Sequence, residues 1–232
     1  YWLPYVPKPM RVHFNGHNLV VLAKRDGVYQ VSDPVMEQVF DCPVADLKRA
    51  RFSASVPLMG KGLAYFPTRL PDGDVDLRSG IHGGLAQACN HMLRIPFVFP
   101  WLGVRGIRHL ASRVRRWPAS GDRRAREWMA GLVRMQEEIG TGGAGFRYLF
   151  AAFLDEAQHV LGDPQLGRVA RQCTEVGDQW RRFALHASRL ARERPDKSYD
   201  QMADLLLDLY QAELELFTEL DRVRRLRPQL TG

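Results

Sequence analysis

The chain has 232 residues, of which 45% are hydrophobic and 25% are charged, and its formal net charge is +7 at pH 7. These proportions are ordinary for a globular protein, and the length allows one large domain or two modest ones. No apolar run approaches the roughly 20 residues that a helix needs to span a bilayer, and the first residues lack the pattern of a signal peptide. Composition therefore excludes a membrane-spanning helix, and we expect a cytoplasmic protein.

The three cysteines, Cys42, Cys89 and Cys173, are widely spaced and form no C-x-x-C pair. Their odd number and their spacing favour neither a disulfide framework nor a zinc site, so we expect no metal and no cofactor. Each is interpreted as a packed thiol rather than a nucleophile, because free cysteine is commonly buried.

The first strongly patterned stretch is at 17–34, with the sequence HNLVVLAKRDGVYQVSDP. An apolar run at 19–22 predicts a buried strand, and an Asp-Gly turn signal separates it from a second run, so the stretch predicts a β-hairpin. Pairing about the turn brings the hairpin ends together, and we expect His17 and Asp33 to be neighbours. A histidine held by a carboxylate forms the base and the orienting acid of a nucleophilic triad, in which imidazole takes a proton from a thiol or hydroxyl.

Three further residues near this pair are candidates for the substrate or oxyanion region. Asn18 and Ser32 flank the pair and could hydrogen-bond to it, although a turn or strand-end role is favoured for both. His13 is interpreted as structural or substrate-side, with a catalytic role in place of His17 as the alternative. The spacing of four residues between the two histidines would suit a metal pair on a helix, but Gly16 and the following strand argue against a helix.

Five sequence blocks carry a family resemblance: YWLPY at 1–5, HFNGHNLVV at 13–21, VYQVSDP at 28–34, VADLKRAR at 44–51 and GTGGAGFRYLFAAFLDEA at 140–157. The first four resemble the second half of the papain-like domain of the butirosin biosynthesis protein H family. The fifth resembles the signature of the helical domain that often follows it.

Members of that family are cysteine acyltransferases or peptidase-like proteins. The founding type moves an aminoacyl group from an acyl-carrier-protein thioester onto an aminoglycoside amine. The resemblance implies that His17 is the catalytic histidine and that Asp33 is its orienting acid. It also implies that the nucleophilic cysteine lies in a helix upstream of the YWLPY block, so we expect this chain to lack it.

The first quarter of the chain predicts extended structure around the hairpin. Residues 1–16 carry three prolines among aromatic residues, which favours an extended entry. After the hairpin, an extended segment at 35–42 leads to a short helix at 44–50, which Pro43 opens. Residues 57–76 are rich in glycine, proline and Asp-Gly signals and predict a linker.

The remainder of the chain has helical periodicity and recurrent capping signals. Six helices are predicted, at 77–93, 104–117, 122–139, 144–161, 165–194 and 199–225. The predicted fold class is therefore α+β. It combines the C-terminal half of a papain-like β-sheet domain at 1–56 with an all-α helical bundle at 77–232.

A glycine-rich turn at 140–145 precedes the fourth predicted helix. Its spacing does not match a nucleotide-binding loop, because no strand precedes it and no Lys-Ser/Thr pair follows it. A tight turn between helices is the favoured interpretation. The alternative is a contact from Gly142, Gly143 and Arg147 to the phosphate of a carrier's phosphopantetheine arm. The helix after the turn has an apolar stripe that we expect to be core: Phe146, Leu149, Phe150, Phe153 and Leu154.

Arginines make the second and third predicted helices strongly basic. A solvated face is the favoured interpretation of such a surface. An acidic helical partner, such as an acyl carrier protein, suits it through electrostatic steering. The predicted carrier contacts are Arg115, Arg116, Arg123 and Arg124. Nucleic acid is disfavoured, because the chain has no recognised binding module and little aromatic interleaving for base stacking.

Two functions remain as hypotheses. The first is the C-terminal portion of a papain-like cysteine acyltransferase of secondary metabolism, or of a related amide hydrolase, which takes an acyl group from a carrier-protein thioester to a small amine. The second is a non-catalytic module for carrier-protein binding or assembly. A missing upstream cysteine in the complete gene would favour the second.

Overall fold

The computed structural model describes residues 1–8, 11, 17–53, 62–66, 73, 75–95, 99, 101–117, 122–138, 142–193 and 198–226. The chain divides into two compact units, Tyr1–Gly73 and Asp74–Gly232. The first unit contains a small sheet and a short helix, and the second is helical in its described residues. The architecture is α+β, as the sequence predicts, and most of the structure is helical. The predicted linker at 57–76 lies largely outside the described residues.

Within the described residues of the first unit, three antiparallel strands form a sheet in the order β1-β2-β3. They are β1 (Val20–Arg25), β2 (Val28–Ser32) and β3 (Val39–Pro43). Asp26 and Gly27 connect β1 to β2 with φ values of 46° and 78°. Two central residues with positive φ give the turn that matches the right-handed twist of a hairpin. The predicted hairpin is therefore confirmed.

A short helix, α1 (Val44–Arg51), follows β3 directly and closes a small core. The buried apolar residues of this core are Leu3, Val31, Cys42 and Leu47.

Strand β1 lies at the edge of this sheet, and its apolar residues Val20, Val21 and Leu22 are exposed. The prediction that this run is a buried strand is therefore wrong. Of the four residues in the run, Leu19 is partly buried against the small core, whereas the other three are exposed. Apolar composition favours a strand, but burial depends on what packs against it.

The described residues of the second unit form six α-helices, and all of the predicted helices are present with bounds that differ by a few residues. They are α2 (Leu77–Cys89), α3 (Gly103–Arg115), α4 (Arg123–Glu137), α5 (Arg147–Leu161), α6 (Pro164–Ala191) and α7 (Tyr199–Leu226). Among these helices, none combines the length and the apolar character that crossing a bilayer requires.

Aspartate caps fix three of the helix starts. Asp76 accepts from the backbone N–H of Ser79, Asp122 from that of Arg124, and Asp163 from that of Gln165. Each cap satisfies an N–H group that has no partner inside its helix, which is why these helices begin where they do. A π-helical turn (Asn90–Arg94) continues α2, and a 3-10 turn (Ala144–Phe146) precedes α5.

Helices α6 and α7, of 28 residues each, pass through both apolar clusters of the bundle. One cluster joins them to α2, α5 and the start of α3, and the other joins them to α3 and α4. The two long helices therefore form the centre of the bundle, against which the shorter helices pack.

The predicted apolar stripe on α5 is only partly core. Leu154 is fully buried, and Phe150 and Phe153 pack against the first cluster, whereas Phe146 and Leu149 are exposed. Phe146 precedes the helix in left-handed backbone with φ 70°, so it does not follow the helical period. The core prediction is wrong for these two residues.

Candidate functional site

The register of the hairpin brings its two ends together at one edge of the sheet. Val20 pairs with Ser32, so His17 and Asp33 lie just beyond the paired residues at the same end. Nε2 of His17 lies 2.7 Å from Oδ2 of Asp33, at hydrogen-bond distance. This is the length of a strong, charge-assisted hydrogen bond. The expected contact is confirmed, while the catalytic role of the pair stays a prediction.

Asp33 is buried, with 2% of its surface exposed, and three groups donate to its carboxylate. Besides His17, the hydroxyl of Tyr5 donates to Oδ2 at 2.8 Å and the backbone N–H of Val35 donates to Oδ1 at 3.1 Å. Burial alone would raise the pKa of Asp33, but the hydrogen bonds from His17, Val35 and Tyr5 outweigh it and hold that pKa below its ordinary value. Asp33 is therefore ionised at neutral pH and acts only as an acceptor.

This ionisation fixes the tautomer of His17. Because the carboxylate can only accept, Nε2 carries the shared proton and Nδ1 has the free lone pair when the ring is neutral. Within the described part of the chain, Nδ1 has no hydrogen-bond partner, and 27% of the His17 side chain is exposed. An imidazole anchored through one nitrogen and open at the other has the arrangement of a general base.

Tyr5 is a member of this cluster that the sequence reasoning missed. Its ring stacks on Phe40, with 5.1 Å between the ring centroids, and its hydroxyl reaches Asp33 from 28 positions away in sequence. Burial raises the pKa of Tyr5, and the hydrogen bond to Asp33 raises it further, so the hydroxyl keeps its proton and remains a donor. Tyr5 belongs to the YWLPY block, but no spacing rule connects that block to Asp33.

The other residues predicted near the pair have less support. His13 lies outside the described residues. Ser32 ends β2 opposite Val20, and Asn18 lies between His17 and β1. Their predicted substrate or oxyanion roles stay predictions.

The three cysteines are all buried, as expected for packed thiols. Burial raises the pKa of each thiol, and it raises that of Cys173 to about 12. A buried thiol with a raised pKa forms little thiolate at neutral pH and is a poor nucleophile. Among the described residues, no group of three or more histidine, cysteine, aspartate or glutamate side chains is placed to hold a metal ion.

The glycine-rich turn before α5 has positive φ at five consecutive residues, 142–146. Glycine adopts this backbone without strain, which explains Gly142 and Gly143. The N–H of Ala144 donates to Oε1 of Glu137 at 3.2 Å, so one of the chain's own carboxylates lies against the turn. This contact supports the interpretation as a tight turn between helices.

Arg147, the first residue of α5, is hydrogen-bonded to other groups of the chain. Its Nε donates to Oε1 of Glu213 at 2.6 Å, and another of its nitrogens donates to the carbonyl of Gly145 at 3.0 Å. Only 15% of its side chain is exposed. These contacts give no support to the predicted phosphate contact from Arg147.

The four arginines predicted to contact a carrier have different surroundings. Arg115 is paired with Asp204, and Arg123 is paired with Glu127 at 2.9 Å. The guanidinium of Arg124 lies over the ring of Trp128, 5.5 Å from its centroid. Arg116 is exposed and has no ion-pair partner among the described residues. Among the described residues, carboxylates therefore neutralise part of the charge of Arg115 and Arg123 and none of that of Arg116 and Arg124.

Two family models match the chain. The model described as "Domain of unknown function (DUF4872)" matches residues 45–220, which include most of α1 and nearly all of the helical bundle. The model described as "Butirosin biosynthesis protein H, N-terminal" matches residues 1–34, which include Tyr5, His17 and Asp33. A comparison with curated proteins found no match. Because the first model covers more than half of its length, the chain belongs to the DUF4872 family, and its first 34 residues are similar to the N-terminal part of butirosin biosynthesis protein H.

Proposed function

We propose that this chain supplies the general base and the orienting acid of a papain-like cysteine acyltransferase, or of a related amide hydrolase. The observation that carries the proposal is the hydrogen bond between Nε2 of His17 and the buried, ionised Asp33, together with an Nδ1 that has no hydrogen-bond partner among the described residues. The similarity of residues 1–34 to butirosin biosynthesis protein H supports it, because both residues lie within the matched stretch.

In this mechanism Nδ1 of His17 accepts the proton of a cysteine thiol, and the thiolate attacks the carbonyl carbon of the acyl donor. Collapse of the tetrahedral intermediate breaks the bond to the leaving thiol, which takes the proton from the imidazolium. The amine then attacks the acyl-enzyme and gives its proton to Nδ1, and His17 returns that proton to the departing cysteine. Asp33 holds the ring and stabilises the imidazolium throughout.

The nucleophile in this proposal is not one of the chain's three cysteines. All three are buried with raised thiol pKa values. The family resemblance implies a cysteine upstream of the YWLPY block, in the first half of a papain-like domain to which residues 1–56 would contribute the second half.

The proposed acyl donor is a thioester on an acyl carrier protein, and the proposed acceptor is a small amine of secondary metabolism. Replacing the amine by water would make the same site hydrolytic. The test is to incubate the complete protein with an acyl thioester, stop the reaction by acid and map the acylated residue by mass spectrometry. We expect the acyl group on a cysteine other than Cys42, Cys89 and Cys173, and we expect His17→Gln to prevent its appearance.

A carrier-docking surface on α3 and α4 is the second part of the proposal. Exposed ion pairs contribute only about 0.2 to 1 kcal/mol each, so several must act together and salt should weaken them. Arg116 and Arg124 are the most informative positions because no carboxylate is described beside them. Gly142 and Gly143 of the glycine-rich turn can contact the carrier's phosphate only if Glu137 releases the N–H of Ala144.

The docking test compares two double variants with the same change in charge. Arg116→Glu with Arg124→Glu should slow transfer from a carrier-bound donor and spare a small thioester mimic, which needs no docking. Arg171→Glu with Arg182→Glu, two exposed positions on α6, is the control and should slow neither. Equal loss on both donors would indicate a defect in folding or in the active site. No loss on either would indicate that Arg116 and Arg124 belong to an ordinary solvated surface.

The alternative function is a non-catalytic module that binds a carrier protein or assists assembly. The observation that favours it is that all three cysteines are buried, so none of them has the accessible thiolate that a nucleophile needs. If the complete protein formed no acyl-enzyme but still bound an acyl carrier protein, this alternative would replace the acyltransferase.

A further inference from the structure

We infer that Tyr5 is a positioning residue for the pair formed by His17 and Asp33: its hydroxyl fixes the Asp33 carboxylate, and the carboxylate in turn holds His17 through Nε2. The inference rests on the proposed function, because positioning of His17 affects a reaction only if His17 acts in one. The effect of Tyr5 on the hydrogen bond between His17 and Asp33 can be tested without any substrate.

The carboxylate of Asp33 has defined partners on both oxygens. Oδ1 accepts from the backbone N–H of Val35, and Oδ2 accepts from the hydroxyl of Tyr5 as well as from His17. A carboxylate that is held by one oxygen alone can rotate about its last side-chain bond, since that torsion is broad. Because Tyr5 and Val35 hold opposite oxygens, the plane of the carboxylate is set independently of His17.

Tyr5 is itself held from two sides. Its ring stacks on Phe40 with an interplanar angle of 17°, within the small core of the first unit. The guanidinium of Arg11 donates to the carbonyl oxygens of Pro4 and Val6, at 2.7 Å in each case, and so ties down the backbone on both sides of Tyr5. The hydroxyl therefore reaches Asp33 from a fixed point rather than from a mobile surface side chain.

A simpler explanation is that the hydroxyl of a half-buried tyrosine has found an acceptor, since buried polar groups are generally hydrogen-bonded. That explanation predicts a change in stability when the hydroxyl is removed and no specific change at His17. Positioning predicts a change in the hydrogen bond between His17 and Asp33 while the fold is retained. The ring proton on Nε2 of His17 reports this difference.

The experiment is nuclear magnetic resonance of this chain and its Tyr5→Phe variant. A ring N–H that is hydrogen-bonded to a carboxylate is protected from exchange with water and gives a separate proton signal. The chain has seven histidines, so the signal is assigned by its loss in a His17→Gln variant. Tyr29→Phe is the matched control, because Tyr29 lies in the same unit on β2 and its hydroxyl has no hydrogen bond to the described residues.

In Tyr5→Phe we expect the Nε2 proton of His17 to exchange about tenfold faster. The Asp33 carboxylate, which accepts that proton, loses the hydrogen bond from Tyr5 that fixes its orientation. The pKa of Asp33, followed by its carboxyl carbon signal, should rise by about one unit, since a donor that favours the ionised form is lost. The titratable groups that act on Asp33 are His17 and Tyr5, and Cys42 acts on Tyr5 in turn. Tyr29→Phe should change neither quantity.

A second variant, Arg11→Gln, releases the backbone around Tyr5 without removing the hydroxyl. It should speed exchange of the same proton by a smaller factor. Unchanged exchange and an unchanged Asp33 pKa in Tyr5→Phe would overturn the inference. If both quantities change but the complete protein transfers no acyl group, the positioning role stands and the proposed function fails.

Discussion

Arg147 and Glu213 form an ion pair inside the helical bundle, with 2.6 Å between Nε and Oε1, and the Glu213 side chain is fully buried. The indole N–H of Trp180 donates to the same oxygen at 2.7 Å. These contacts tie the first residue of α5 to α6 and α7, directly after the turn with five positive φ values. The pair therefore anchors the glycine-rich turn to the centre of the bundle.

Replacing Arg147 by glutamine should destabilise the protein by about 3 to 5 kcal/mol, because it leaves a buried carboxylate without its counter-charge. The measurement is the free energy of unfolding in urea. Arg134→Gln is the control, since Arg134 and Glu138 form an ion pair that is exposed on both sides, and its loss should cost at most about 1 kcal/mol. Losses of equal size in the two variants would contradict an anchoring role.

Asp221 is the shared acceptor of a cluster of ion pairs that we expect to stabilise the helical bundle. Three guanidinium groups, from Arg94, Arg224 and Arg225, lie within 2.9 Å of its carboxylate. Burial would raise the pKa of Asp221, but hydrogen bonds from Arg224 and Arg94 lower it below its ordinary value. Asp221→Asn should cost about 1.5 to 3 kcal/mol, because the three positive charges then lie together without a counter-charge.

The control for Asp221 is Asp208→Asn, an exposed position on the same helix for which no ion pair is described. Thermal and urea unfolding of both variants at neutral pH give the comparison. If Asp208→Asn lowered the free energy of unfolding as much as Asp221→Asn, the ion pairs of Asp221 with the three arginines would not be a specific source of stability.

The hydrogen bonds to Asp33 should make stability depend on pH. The folded-state pKa of Asp33 is lowered, so its contribution is complete above the unfolded-state pKa of about 3.9 and is lost as the pH falls through the folded-state pKa. The wild-type protein should therefore exceed Asp33→Asn in unfolding free energy at pH 7, and the difference should shrink as the pH falls below about 4. A difference that stays constant down to pH 2.5 would show that Asp33 has no lowered pKa.

Gly143 should not tolerate a side chain. Its φ is 85°, and a Cβ atom there would lie 2.7 Å from a guanidinium nitrogen of Arg181 and 3.2 Å from Oε2 of Glu137. We expect Gly143→Ala to destabilise the protein by more than about 1 kcal/mol. Gly131→Ala in α4 is the matched control: nothing lies within 4 Å of its Cβ position, so it should stabilise the protein by about 0.5 to 1 kcal/mol. Changes of the same sign in both variants would contradict this view of the turn.

Local sequence signals were sufficient to predict the hairpin, the helices and the contact between His17 and Asp33. Asp26 and Gly27 specify the hairpin turn, and its register then places His17 beside Asp33. Aspartate caps such as Asp122 and Asp163 mark helix starts. These features depend on residues close together in sequence, or on pairing rules that the turn itself fixes.

The features that were missed depend on tertiary packing. Tyr5 reaches Asp33 only because its ring packs on Phe40, and no local pattern encodes that contact. The partner of Arg147, Glu213, is 66 positions away, so the sequence could not distinguish a buried ion pair from the phosphate contact predicted for Arg147. The exposure of Val20 on the edge strand shows the same limit, since apolar composition does not specify what packs against it.

The proposed role of His17 is that of the general base in acyl transfer. Its most direct test is the rate of transfer from an acyl thioester to an amine by the complete protein, compared with its His17→Gln and His159→Gln variants. His159 is exposed on α5, far in sequence from the hairpin, and serves as the control. We predict that His17→Gln lowers the rate at least about 100-fold, as the loss of a general base does, and that His159→Gln leaves it unchanged. A His17→Gln protein that transfers acyl groups at the wild-type rate would contradict the claim.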